Sequence, residues 1–157
     1  MNYPLFLVPI LAGLIAQSVK PFFNRSWYAA LEEEGKHIPR YGGMPSAHTA
    51  FATSLATVVA LTDGFYTTSF MIAVSLVIYI LDDALRMRIF LSRHGLALQK
   101  LVSRLPREEQ RDYPYLEARL GHRGREVVAG GLVGVVITVA IWMLYYGVIK
   151  DYLTALW

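Results

Sequence analysis

The chain has 157 residues, of which 55% are hydrophobic and only 17% are charged, and its mean hydropathy is positive at +0.38. Soluble domains carry about 25% charged residues, so this composition excludes an ordinary soluble fold and favours a membrane protein. There is no cysteine, which excludes disulfide bonds and thiolate metal sites. The net charge is only +3 and the basic residues lie between apolar stretches, so nucleic-acid binding is not expected.

Four apolar stretches predict membrane-spanning helices: residues 3–19, 47–61, 65–81 and 127–149. Lys20 and Pro21 are expected to close the first, because proline disfavours helix at the residue before it. A secretory signal peptide is the alternative for this stretch, but it lacks a basic beginning and a small-residue cleavage site. Asp82 and Asp83 are expected to end the third.

Residues 85–105 are basic and amphipathic, with Leu91, Leu98 and Leu105 at helical spacing. They predict a helix at the membrane surface or across the mouth of the bundle. The connectors 20–46 and 82–126 hold nearly all Lys and Arg, whereas the turn 62–64 has none. The positive-inside rule then places both connectors in the cytoplasm and both chain ends outside. The expected fold is an all-α integral membrane bundle of about four spans with an amphipathic cytoplasmic helix, in one domain of residues 1–157.

A glycine-rich turn precedes the second span. Gly42 and Gly43 allow backbone N–H groups to approach an anion closely, and successive N–H groups of this kind form an anion-binding nest. A helix beginning near Ser46 adds free N–H donors and a positive dipole end. His48 follows, and it is expected to point into the bundle because alanines recur every four residues on its helix face.

His122 and Glu126 are four residues apart at the start of the fourth span, so they share one helix face. A carboxylate on one imidazole nitrogen fixes the tautomer and leaves the other nitrogen free to attack or to accept a proton. The up-and-down path of the spans brings further polar residues to the same membrane face. Together these residues are Lys20, His48, Asp82, Asp83, Arg88, His122 and Glu126.

The chain resembles the divergent branch of the type 2 phosphatidic acid phosphatase and vanadium haloperoxidase superfamily. The resemblance lies in an ordered set of motifs that covers most of the chain. The motifs are Gln17 with Lys20, residues 42–48, Asp83-Ala84 with Arg88, Leu120-Gly121-His122, and residues 126–130.

This resemblance implies hydrolysis of a phosphomonoester or pyrophosphate through a phosphohistidine, without a metal or other cofactor. It implies that His122 is the nucleophile, that Glu126 orients it, and that His48 is the general acid for the leaving oxygen. The remaining site residues would hold the phosphoryl group, with Asp83 pairing to an arginine. They are Lys20, Gly42, Gly43, Ser46, Asp83 and Arg88.

The chain departs from the wider superfamily at the arginines that clamp the phosphate. Seven residues beyond the lysine, where an arginine is usual, it has Trp27, and it also lacks the Ser-Arg pair that precedes the nucleophilic histidine. Its acidic partner is glutamate instead of aspartate. The clamp is therefore expected from Arg88 first, and from Arg119 or Arg123 second.

Two further features allow more than one interpretation. Asp82 and Asp83 could form a divalent-metal pair, but no other carboxylates lie at a fitting spacing, so a site without metal is favoured. Gly130 and Gly134 form a GxxxG pair that predicts close helix contact, and such faces favour a homodimer.

The sequence thus predicts a membrane lipid phosphate phosphatase in the bacterial inner membrane, with its active site facing the cytoplasm. Its substrate partner would be a phospholipid phosphate or a polyprenyl mono- or diphosphate. The alternative is a non-enzymatic membrane protein that binds or translocates a lipid phosphate.

Overall fold

The protein's structure, a computed structural model, describes residues 3–23, 43–113 and 124–146. All regular elements in these ranges are helical. They are a 3-10 turn, Tyr3–Leu7; α1, Val8–Phe23; α2, Ala47–Thr62; α3, Thr68–Asp82; a π-helical segment, Asp83–Met87; α4, Arg88–Val102; α5, Arg107–Gln110; and α6, Gly124–Leu144.

Three continuous helical stretches in the described ranges are long and apolar enough to cross a membrane: Leu5–Phe23, Thr68–Val102 and Gly124–Leu144. The fourth predicted span is α2, an apolar helix of 16 residues. The prediction of an all-α membrane bundle is therefore confirmed.

Two predicted helix ends are wrong. Pro21 does not close the first span, because α1 continues to Phe23 and holds Lys20 inside the helix. A proline in the last turn of a helix removes one backbone hydrogen bond and crowds the carbonyl group four residues earlier, a cost that the surrounding packing can offset. Asp82 and Asp83 do not end the third span either. The helix passes through them as a π turn and continues as α4, which is shorter at both ends than the predicted residues 85–105.

Helix α2 lies at the centre of the bundle and packs against α1, α3 and α6. The fully buried side chains here are small, with Ala12, Ala16, Ala50 and Ala52 all at 0% exposure. Membrane helices associate through such residues, because small side chains let backbones approach closely where no hydrophobic effect drives helices together.

The predicted GxxxG contact is confirmed, and it lies within the chain. A Cβ atom at Gly130 would overlap the carbonyl oxygen of Ser46, and one at Gly134 would overlap the Ala50 carbonyl oxygen and the Thr53 hydroxyl. This face of α6 is therefore occupied by α2. The homodimer remains a prediction. The GxxxG face no longer supports it, because α2 of the same chain already covers that face.

Hydroxyl groups join the same two helices across their contact. Thr53 Oγ1 donates to the Gly131 carbonyl oxygen at 3.2 Å, and the hydroxyls of Ser54 and Thr138 lie 2.7 Å apart. Ser54 and Thr138 are buried, so each satisfies a polar atom that water cannot reach. These bonds fix the axial position of α6 relative to α2. They therefore also fix the level in the bundle at which the residues at the end of each helix lie.

Gly134→Ala is expected to destabilise the bundle by about 2 kcal/mol, because the added methyl group must push α6 away from the α2 backbone. The matched control is Gly131→Ala, whose methyl group would meet only side-chain methyl carbons of Thr53 and Thr49, at 3.6 and 3.9 Å. Thermal unfolding of both variants in detergent measures the difference. Equal unfolding temperatures for the two would contradict the close contact described here.

Candidate functional site

The start of α2 is held in place by its own backbone turn. Gly43 has a φ of 82°, a left-handed conformation that glycine adopts without strain. Ser46 is the N-cap of α2, and its Oγ accepts hydrogen bonds from the Thr49 N–H at 3.4 Å and the Thr49 hydroxyl at 2.9 Å. The Ser46 N–H donates to the Glu126 carbonyl oxygen at 2.9 Å, which ties this turn to the start of α6.

A buried lysine links the ends of three helical elements. Lys20 is only 4% exposed, and it interacts electrostatically with both Glu126 and Arg88. The attraction of Glu126 and the repulsion of Arg88 both act on its ammonium group. Residues distant in sequence, at the end of α1, at the start of α4 and at the start of α6, thus lie close together, as the up-and-down topology predicts.

The π segment builds the ion pair of the site. Arg88 Nε donates to Asp83 Oδ2 at 2.7 Å, although the two residues are five positions apart. Five residues of a regular α-helix turn about 500°, which would leave these side chains on different sides of the helix. Here the Arg88 N–H donates to the Asp83 carbonyl oxygen, an i to i+5 bond that brings the two residues into line. Arg88 thereby receives a fixed orientation, with its remaining donors available to a ligand.

This ion pair forms one wall of a pocket of about 250 Å³. His48 forms another part of the wall, and its side chain is exposed instead of packed into the bundle. The prediction that His48 points into the bundle is therefore wrong. Ala52, one turn further along the same face, is fully buried, whereas His48 lies in the first turn of α2, where its side chain is exposed at the pocket. A histidine that opens onto a pocket can exchange protons with a bound molecule.

The pocket changes from polar to apolar across its walls. Beside His48, Asp83 and Arg88, it is lined by Tyr79, Ile80 and Ala84 from α3 and the π segment. Tyr79 and Ile80 were not predicted as site residues. The available signal was that Tyr79 precedes Asp83 by four residues, and so shares its helix face.

The charges in the described part of the site balance. Lys20 and Arg88 are the two cations, and Asp83 and Glu126 are the two carboxylates. A dianionic phosphate would therefore need additional positive charge or N–H donors in order to bind tightly. The predicted sources Gly42, Arg119 and Arg123 lie outside the described residues, as does the predicted nucleophile, His122.

Asp82 and Asp83 do not share a site. Asp82 pairs with Arg86 at 3.0 Å on an exposed surface, whereas Asp83 pairs with Arg88 at the pocket. Within residues 3–23, 43–113 and 124–146, no group of three or more His, Asp or Glu side chains is placed to hold a metal ion.

Comparison with known proteins adds a family and one relative. The family model described as "Divergent PAP2 family" matches residues 1–137. A protein of Bacillus subtilis (strain 168) named "Uncharacterized membrane protein YuiD" is 29% identical over 151 residues, covering 89% of this chain and 94% of that protein. No solved structure matches the chain significantly.

Proposed function

Because the chain belongs to the divergent PAP2 family, we propose that it is a membrane phosphohydrolase that removes a phosphoryl group from an amphiphilic lipid phosphate. The observation that carries this proposal is the pocket in which the exposed His48 faces the Asp83–Arg88 ion pair. An imidazole and an oriented guanidinium are the groups that a phosphoryl transfer needs on its leaving and equatorial oxygens.

In the proposed reaction, a ring nitrogen of His122 attacks phosphorus while the bond from phosphorus to the lipid oxygen breaks. His48 gives its proton to that oxygen, which leaves as the lipid alcohol, or as the monophosphate if the substrate is a diphosphate. His48 then takes a proton from water, whose oxygen attacks the phosphohistidine and releases inorganic phosphate. Glu126 orients His122, and Arg88 with Lys20 stabilises the charge on the phosphoryl oxygens.

The environment of the pocket supports a lipid substrate. Arg88 and Asp83 line one part of the pocket, and Tyr79 and Ile80, which belong to the apolar helix α3, line another. A headgroup at the charged end would leave its hydrocarbon tail beside side chains of matching polarity. Phospholipid phosphates and polyprenyl mono- or diphosphates share this shape, and both fall within the proposal.

We propose further that the site faces the cytoplasm of a bacterial inner membrane. Residues 82–126 contain ten Lys and Arg residues and residues 20–46 contain four, whereas the turn at the other end of α2 and α3 has none. The positive-inside rule supports this orientation. The relative in Bacillus is a membrane protein by name, which agrees with the setting.

The direct test is phosphate release by the purified protein from a panel of phosphatidic acid and polyprenyl mono- and diphosphates. We expect release from at least one substrate, with and without a metal chelator, and inhibition by vanadate. Vanadate can adopt the five-coordinate geometry of the transition state, whereas sulfate at equal concentration cannot and serves as the control. If the folded protein releases phosphate from none of these substrates, the enzymatic proposal fails and lipid-phosphate binding or translocation takes its place.

A further inference from the structure

Helix α4 extends beyond the bundle. None of its 15 residues is buried, and its main contacts are with the π segment from which it emerges. Five of its large apolar side chains are about half exposed or more, whereas Ile89 and Val102 are partly buried. The five are Phe90 at 50%, Leu91 at 52%, Leu96 at 54%, Leu98 at 50% and Leu101 at 60%.

Most of these side chains share one face. At about 100° per residue, Phe90, Leu91, Leu98, Leu101 and Val102 fall within an arc of roughly 120°. Arg93 and Lys100 lie together beyond one edge of this arc, and the guanidinium of Arg93 is 5.9 Å from the centre of the Phe90 ring. Ile89 and Leu96 lie outside the arc. An apolar stripe edged by cations is the pattern of a helix that lies in a membrane interface.

The charges on this segment have one sign. Between Ala84 and Pro106 the chain has five Arg and Lys residues and no Asp or Glu. Two of the five, Arg86 and Arg88, pair with the aspartates that precede this range. The other three are Arg93, Lys100 and Arg104. The surface that complements such a segment is anionic. A second copy of α4 would bring the same cations towards one another, whereas a bilayer with anionic headgroups offers opposite charge and an apolar interior together.

The level at which α4 begins also agrees with a bilayer as its partner. α3 and the π segment together have 20 residues, which at 1.5 Å per residue are about as long as the bilayer's hydrocarbon core is thick. α4 therefore begins where the headgroups begin. π turns are places where long helices bend, so α4 can leave the direction of α3 at this level.

We propose that the part of α4 beyond Arg88 is a binding site for anionic lipid headgroups, separate from the pocket that Arg88 lines, and that it lies in the membrane interface with Phe90, Leu91, Leu98 and Leu101 in the bilayer. This proposal does not rest on the proposed phosphatase function. Its test uses no enzymatic turnover, so the two can fail separately.

The absence of cysteine allows a direct test, because one introduced thiol gives one labelled position. We would attach a polarity-sensitive fluorophore to Leu98→Cys and Leu101→Cys on the apolar arc, and to Gln99→Cys and Ser103→Cys on the opposite side. Each labelled protein is placed in nanodiscs at one copy per disc. The discs contain phosphatidylcholine alone, or an equal mixture with phosphatidylglycerol.

In the mixed discs we expect blue-shifted emission at positions 98 and 101, and emission typical of water at positions 99 and 103. The blue shift should be smaller in phosphatidylcholine alone. Adding Arg93→Gln and Lys100→Gln together should lower the ratio of docked to free helix about fivefold per charge removed. The matched control is Arg107→Gln with Arg111→Gln, which removes two equally exposed cations beyond Pro106 and should leave the emission unchanged.

Two outcomes would overturn the proposal. Water-like emission at all four positions in mixed discs would show that α4 extends freely into solution. A blue shift at position 101 that is independent of anionic lipid and appears only when two copies share a disc, with a disulfide forming between unlabelled Leu101→Cys chains, would show that a second copy covers the face.

Discussion

Replacing His122 with alanine is expected to abolish phosphate release, with a loss on the order of 10⁴-fold or more, because the variant has no nitrogen with which to form the covalent intermediate. Replacing His48 with alanine should cost about 10² to 10⁴-fold, since a general acid contributes that much and a good leaving group can depart without it. His37→Ala is the matched control, as His37 belongs to no motif of the site. Phosphate release from each variant, with the best substrate of the parent protein, measures these differences.

The covalent step gives this prediction a second measurement. A phosphohistidine is labile in acid and stable in alkali, so substrate labelled in the phosphoryl group should leave label on the alkali-quenched parent protein. His48→Ala should still accept the label, whereas His122→Ala should not. Labelling of His122→Ala at the level of the parent protein would assign the nucleophile to another residue.

Arg88→Gln is expected to lower phosphate release by about 10² to 10³-fold, the usual cost of removing one oriented donor from developing negative charge. Arg88→Lys should recover part of the loss, because lysine restores the charge without the planar guanidinium that meets both Asp83 and a phosphoryl group. Measuring kcat and KM separately shows whether the loss lies in the chemical step.

The control for Arg88 lies two residues away. Arg86 has the same charge and pairs with the preceding aspartate, Asp82, but it is exposed and does not line the pocket. Arg86→Gln should therefore keep nearly full activity. Equal losses in Arg86→Gln and Arg88→Gln would mean that general positive charge at this end of the bundle matters, and not the placement of one guanidinium.

The helices were predictable because each span needs a long run of apolar residues, a requirement that α1, α3 and α6 all meet. The meeting of Lys20, Glu126 and Arg88 was also predictable, since alternating spans bring their ends to one membrane face. The ends of the helices were less so. Pro21 weakens the helix through a lost hydrogen bond and a crowded carbonyl group, and whether the helix continues depends on packing that no local pattern records.

The π turn was not predictable, and it decides the geometry of the pocket. No residue type in the segment Asp83–Met87 favours an i to i+5 bond over an i to i+4 bond, so the sequence predicted an aspartate pair that ends a helix. The direction of His48 was missed for a related reason. The alanines on its face predicted burial, and Ala52 is indeed fully buried, but His48 lies in the first turn of α2, where the same face opens onto the pocket.

The π turn also sets the rotation of everything that follows it. One extra residue in a helical turn rotates the rest of the helix by about 100° around its own axis. The extra residue that aligns Arg88 with Asp83 therefore also sets the direction in which the leucines of α4 point. If these same residues formed a regular α-helical turn, Arg88 would lie about 140° around the helix from Asp83, and the leucines would turn away in the same event. The geometry of the pocket and the direction in which α4 faces therefore both depend on this one turn.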